Sequence, residues 1–364
     1  LDTRDAFRSG IEMMQQSARL MRVVTPNGLL GDWVELDNKF EAFRLFQYAD
    51  HELRSPVART NPLQVIPGAS VGNRFRSIWI LEGAGHIAGL NSSLSGRGLL
   101  TEGDAATLPD TAMVPLHAGM GTAFAEKLLG GLASSPSMPD IDRTIRQFAD
   151  VCRANCRPGW DDATMEPLGL VVRCLYPKLI PAVSIAMEGV SPELRNLFWH
   201  GVGRGLYFVP TNFLPLPGAR ERMLKNAAVE AGDAEARRNI LSGLIWAVTL
   251  VNLPHPSIIR SVAALCSEMK IRDEFTNGLL SALLAWRHMA PEDLRHIGTY
   301  TSALPGNATE ATLWKEWIEI PAHDALRDVY PGLEARNRIP ALYTYRTYEE
   351  LRRLGAPVAA GSCA

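Results

Sequence analysis

Glycine inside an apolar helix costs about 1 kcal/mol relative to alanine. A chain that puts it there repeatedly must offset that cost by packing. This sequence does so in five segments: LEGAGHIAGL, LHAGMGTAFAEKLL, FWHGVGRGLYFV, LSGLIWAVTLV and TNGLLSALLAW. Their leading glycines are Gly83, Gly119, Gly201, Gly243 and Gly278, in steps of 36, 82, 42 and 35 residues. The long step is about two periods, and a degenerate member at Glu166-Pro167-Leu168-Gly169-Leu170 falls in the gap. A spacing of this size is that of one helical hairpin, the unit from which stacked α-repeats are built.

The residue four positions after each leading glycine is small in Ala123, Gly205, Ala247 and Ala282, with Ile87 the exception. Small residues four apart line one helix face and let a neighbouring backbone approach. The string Gly201-Val202-Gly203-Arg204-Gly205 lacks the third-glycine spacing of a dinucleotide loop, and no strand pattern precedes it. These glycines therefore read as close-packing positions.

Apolar helical segments run from Ile78 to about His288, broken at LPDT, SSPSMPD, GVSPEL, LPLPGA and NLPHPS. Several breaks carry helix-start signals, as in Ser191-Pro192-Glu193. Period-two strand patterns are nearly absent. The fold expected is all-α. An N-terminal helical cap (residues 1–75), with a second helix near Trp33 to Leu53, precedes an array of stacked helical hairpins (76–290). The Pro- and Gly-rich remainder (291–364) is expected to be irregular, ordered at Glu310–Ile320 and Thr347–Leu354.

The charges nearly cancel, 37 Lys+Arg against 39 Asp+Glu, which gives no reason to expect a nucleic-acid partner. No stretch reaches the roughly 18 uncharged apolar residues of a membrane span. The best candidate, Ile240 to Leu253, is short and interrupted, and reads as a buried core helix. Five cysteines in no framework spacing, Cys152, Cys156, Cys174, Cys266 and Cys363, point to reduced thiols and a cytoplasmic location. The chain starts at Leu1 without an initiator Met, and its polar, amphipathic start is no secretory signal.

The chemistry lies beside the glycines. Positions one before and three after each leading glycine stack on one face. They read Glu82/His86, Ala118/Thr122, His200/Arg204, Ser242/Trp246 and Asn277/Ser281. Charged groups next to a buried ridge need partners or a ligand. Three readings follow. One is an internal network, for instance Glu82 with Arg204. A second is a cavity in which His200, His86 and Glu82 do acid–base work and Arg204, Trp246, Ser242 and Thr122 bind the ligand. The third is a metal site from Glu82, His86 and His200, although the helical Glu-x-x-His pattern is missing. The residues identify no cofactor.

The segments LEGAGHIAG, PLHAGMGTAF, NLFWHGVGRGLYFV and NILSGLIWAV, in that order, resemble an uncharacterised bacterial family that recurs in enediyne antibiotic gene clusters. The resemblance spans about residues 75 to 255. Gly201-Val202-Gly203-Arg204-Gly205-Leu206-Tyr207-Phe208 is its most specific element, with Tyr207 where the family has Trp. It implies a setting in specialised metabolism and supplies no mechanism. The expected function is thus an accessory protein that binds an apolar polyketide- or lipid-like intermediate, with its modification left open. The alternative is a non-catalytic α-repeat scaffold that presents aromatics such as Trp199 or Trp246 to a protein partner.

Overall fold

A computed structural model describes residues 30–52, 74–212 and 216–356, with the isolated positions 16 and 20. The first expected helix and Cys363 lie outside the described residues. The chain is all-α, and the described residues contain no strand.

The start signals work as their chemistry requires. Ser191 accepts a hydrogen bond from the Leu194 amide at 3.2 Å, with Pro192 in the first turn. Asp233 accepts from the amides of Glu235 and Ala236. Each cap satisfies amides that the helix cannot pair internally.

The helices in order are α1 (Leu30–Glu52), α2 (Arg74–Asn91), α3 (Met113–Gly130), α4 (Met138–Asn155), α5 (Asp161–Met165) and α6 (Pro167–Leu175). They continue as α7 (Ile180–Glu188), α8 (Pro192–Phe208), α9 (Ala219–Glu230), α10 (Ala234–Val251), α11 (Pro256–Met269) and α12 (Arg272–Met289). The C-terminal stretch, expected to be irregular, carries the short helices α13 (Leu294–Tyr300), α14 (Ala308–Trp314), α15 (Ile320–Asp328), α16 (Tyr330–Ala335) and α17 (Tyr348–Gly355). A π-helical turn joins α14 to α15.

Helices α2, α3, α5/α6, α8, α10 and α12 pack side by side in that order. The row then turns back on itself. Trp286 of α12 lies 6.0 Å from the Phe75 ring of α2, and His288 Nε2 lies 3.2 Å from the Asp110 carbonyl just before α3. The intervening helices α4, α7, α9 and α11 each pack against members of the row.

The glycines set the direction of these contacts. A Cβ on Gly85 would overlap the Leu116 carbonyl, and one on Gly89 would meet Met120 and Ala123. The facing numbers rise together, so α2 and α3 run parallel. The same holds for Gly201 against Glu166 and Gly205 against Leu170, and between α8 and α10, where Asn196 bonds Glu235 and Tyr207 bonds Asn252. Parallel neighbours need the chain to travel back between them; residues 92–112, with two 3-10 turns, do this between α2 and α3, and α7 and α9 do it between the later pairs. In α2 the close-approach pair is Gly85/Gly89, two positions on from the Gly83/Ile87 register that the sequence suggests. This explains why Ile87 breaks the pattern.

Candidate functional site

Gly201 decides where the site forms. Without a side chain it lets α8 close onto the backbone of Glu166, at the junction of α5 and α6, where a Cβ would overlap the Glu166 carbonyl. His200 and Arg204 flank that contact one turn apart, so both reach the Glu166 carboxylate. His200 Nδ1 lies 2.7 Å from Glu166 Oε1, and Arg204 donates to Oε2 at 2.5 Å. The guanidinium reaches on to Glu82 of α2, donating to Oε1 at 3.3 Å, and lies over the Trp246 ring of α10, 4.7 Å from its centroid.

The cluster is deeply buried. The side chains of His200 and Glu166 have no accessible surface, Arg204 keeps 3% and Glu82 13%. Burial alone would push both carboxyls up. Beside Glu166 the attraction of Arg204 and the hydrogen bonds from His200 and Arg204 overcome this, and its carboxyl is held below the usual range. Glu82 stays raised, because burial and the Glu166 charge outweigh its weaker contact with Arg204.

Tyr343 completes the group. It ends a 3-10 turn, Ile339–Tyr343, and its ring stands perpendicular to His200 at 6.0 Å and tilted to Trp246 at 5.8 Å. The His200 and Trp246 rings are 6.3 Å apart. His200 Nε2, Arg204 Nε, Trp246 Nε1 and the Tyr343 hydroxyl are all buried without a hydrogen-bond partner. Buried polar atoms are nearly always paired. Four such atoms fall on neighbouring side chains of this one cluster.

The structure gathers His200, Glu82, Arg204 and Trp246 from the sequence-derived set and disperses the others. His86 lies 3.0 Å from Glu126 Oε2 and packs on Phe46, away from Glu166. This is the register shift in α2 again, which turns the His86 edge toward α3. The Thr122 hydroxyl donates to the Ala118 carbonyl in its own helix at 2.9 Å, and Ser242 donates to the Glu274 carbonyl. Thr122 thus bonds within α3, and Ser242 ties α10 to α12. The metal reading loses its second histidine with His86. Among the described residues no group of three His, Cys, Asp or Glu side chains is arranged to hold a metal ion.

Two members were missed. Glu166 stands in the degenerate repeat and precedes no leading glycine. Tyr343 comes from the stretch expected to be irregular. The one available signal was Glu166 immediately before Pro167, a charged residue at a helix break inside an apolar run.

Trp199 and Trp246, the aromatics a scaffold would present, are both buried. No single helix among the described residues is long and apolar enough to cross a membrane. Compared with known proteins, the chain matches no family model, no curated protein and no solved structure.

Proposed function

We propose that the chain binds a small, mostly apolar molecule among its inner helices and acts on it by proton transfer through His200. One observation carries this reading. The Nδ1 edge of His200 is fixed by the Glu166 carboxylate while its Nε2 edge is buried and unpartnered. A carboxylate on Nδ1 selects the tautomer in which Nε2 carries the lone pair, which is the arrangement of a positioned base. Glu166 is then a positioning residue, itself held by Arg204. Trp246 and Tyr343 supply apolar faces with polar tips, as ligand sites generally do.

An accessory role in specialised metabolism, on a polyketide- or lipid-like intermediate, rests on the sequence resemblance of residues 75–255 alone, since no family model matches the chain. Free Cys152, Cys156, Cys174 and Cys266 support a cytoplasmic setting. The burial of Trp199 and Trp246 favours an interior site over a scaffold surface.

The test is metabolite profiling of a gene-disrupted producing strain restored with wild type, His200→Gln or Trp246→Phe. His200→Gln is expected to leave the disrupted profile unchanged while its circular dichroism stays helical and its melting temperature stays near wild type. Restoration of the normal profile by His200→Gln would overturn the assignment. A matching collapse of stability would mark the cluster as structural.

A further inference from the structure

The free valences of the cluster define the chemistry of what it takes. Its one permanent cation is already committed. Arg204 bonds Glu166 through one terminal nitrogen and Glu82 through the other, with its face on Trp246. Two carboxylic groups share this one guanidinium, so the buried centre is neutral with Glu82 protonated and negative with Glu82 ionised. An added anion would meet no free cation and would have to be desolvated against an existing negative charge. The cluster therefore favours an uncharged ligand over an anion.

Its hydrogen-bonding character follows from the orphaned atoms. Three of them donate: the Tyr343 hydroxyl, Trp246 Nε1 and Arg204 Nε. One, His200 Nε2, accepts. Such a set suits a molecule that offers oxygen lone pairs to several donors and one acidic hydrogen to a base. An imidazole is only a modest base, so that hydrogen must be activated, as on a carbon between two carbonyls.

We infer that the substrate is an uncharged, enolisable carbonyl compound of the 1,3-dicarbonyl class, on which His200 moves a proton between carbon and oxygen. This rests on the reading of His200 as a positioned base. His200 Nε2 takes the proton from the central carbon. The C–H electron pair moves into the enolate, whose charge gathers on a carbonyl oxygen held by the Tyr343 hydroxyl and Trp246 Nε1. The proton then returns from Nε2 to that oxygen, or to the carbon. The net change is a tautomerisation that consumes nothing and needs no co-reactant.

The probes are benzoylacetone, butylbenzene, which is apolar without carbonyls, and benzoylpropionate, an anionic ketone. Binding is read by quenching of tryptophan fluorescence. Chemistry is read by NMR, as loss of the central methylene signal of benzoylacetone in deuterated buffer where the diketone is un-ionised. Benzoylacetone is expected to bind more tightly than the other two, with exchange faster than in protein-free buffer. His200→Gln should abolish the acceleration. Tyr343→Phe, which removes one unpartnered oxygen and so leaves the fold intact, should reduce it about 100-fold with binding retained.

Equal binding of butylbenzene without accelerated exchange would overturn the dicarbonyl inference and leave the apolar site standing. Tightest binding of benzoylpropionate would overturn the uncharged class. Wild-type exchange in Tyr343→Phe would overturn the donor assignment. Failure of all three probes to bind would remove the ligand site itself.

Discussion

Arg204 and Glu82 meet at 3.3 Å although 122 positions separate them in the chain. The contact joins α8 to α2 across the inner helices, and Glu166 is the hub that makes it tolerable. A lone guanidinium at 3% exposure would be strongly unfavourable. With Glu166 and Glu82 on its two terminal nitrogens, the charge is shared among three elements.

Removing the hub should therefore be costly. Glu166→Gln leaves Arg204 buried with only Glu82 opposite, and frees the Nδ1 edge of His200 from its carboxylate. Breaking a buried pair by deleting one partner typically costs ~3–5 kcal/mol. Denaturant titration should find a loss of that size. A change below about 1 kcal/mol, the worth of a surface pair, would contradict the assigned role.

The close-packed glycines make a sharper contrast. A Cβ at Gly203 would overlap the Ile240 carbonyl, and one at Gly243 the His200 carbonyl, while Gly298 in α13 has nothing within 4 Å of its added carbon. Gly203→Ala and Gly243→Ala should each destabilise by about 1–3 kcal/mol or more through overpacking. Gly298→Ala should stabilise by up to ~1 kcal/mol, the helix preference of alanine over glycine. Melting temperatures of the three variants would check this, and a common sign for all of them would refute it.

These positions also explain what a reader of the sequence can and cannot see. Glycine inside apolar helix is a local signal with one physical cause, so the all-α fold and the Gly201, Gly203 and Gly243 contacts are legible. The register in α2 is not, because LEGAGHIAGL offers three glycines and nothing local ranks Gly83 against Gly85. His86 meets Glu126 of α3 for that reason. Glu82 and Arg204 carry their charge into apolar segments and were legible as partners. Tyr343 reaches His200 only because the chain after α12 folds back onto the inner helices, and no periodic pattern encodes that return.

Protonation of buried histidines should loosen the protein before Glu166 titrates. His117 is buried, its Nδ1 lies 2.7 Å from the Met113 carbonyl and its Nε2 accepts from the Arg157 amide at 3.0 Å. Protonation would destroy the acceptor, and burial pushes its pKa down from 6.5 to about 3. A depressed folded value means that this stability is fully present above the unfolded pKa of 6.5 and lost as pH falls toward 3. His288, also lowered by burial, adds in the same direction. Glu166, depressed from 4.5, contributes only below that value. His117 should thus contribute a fall in unfolding free energy between pH 6.5 and 4.5, opposed there by Glu82 and Asp162, whose carboxyls burial raises, Asp162 to about 6. His117→Asn should remove that falling contribution. An unchanged slope in His117→Asn would rule this source out.

The Tyr343 hydroxyl separates a site from a structural network most directly. It is fully buried, burial pushes its ionisation upward, and it has no hydrogen-bond partner. An unpaired buried hydroxyl costs about 1–3 kcal/mol of desolvation that a phenyl ring of the same shape does not incur. In the ligand-free protein, Tyr343→Phe should leave stability unchanged or raise it by up to ~2 kcal/mol, because the ring contacts with His200 and Trp246 remain. Calorimetric melting of the purified variant would measure this. A fall of 1 kcal/mol or more would mean that the hydroxyl is bonded within the folded protein, and Tyr343 would join the network that Glu166 organises.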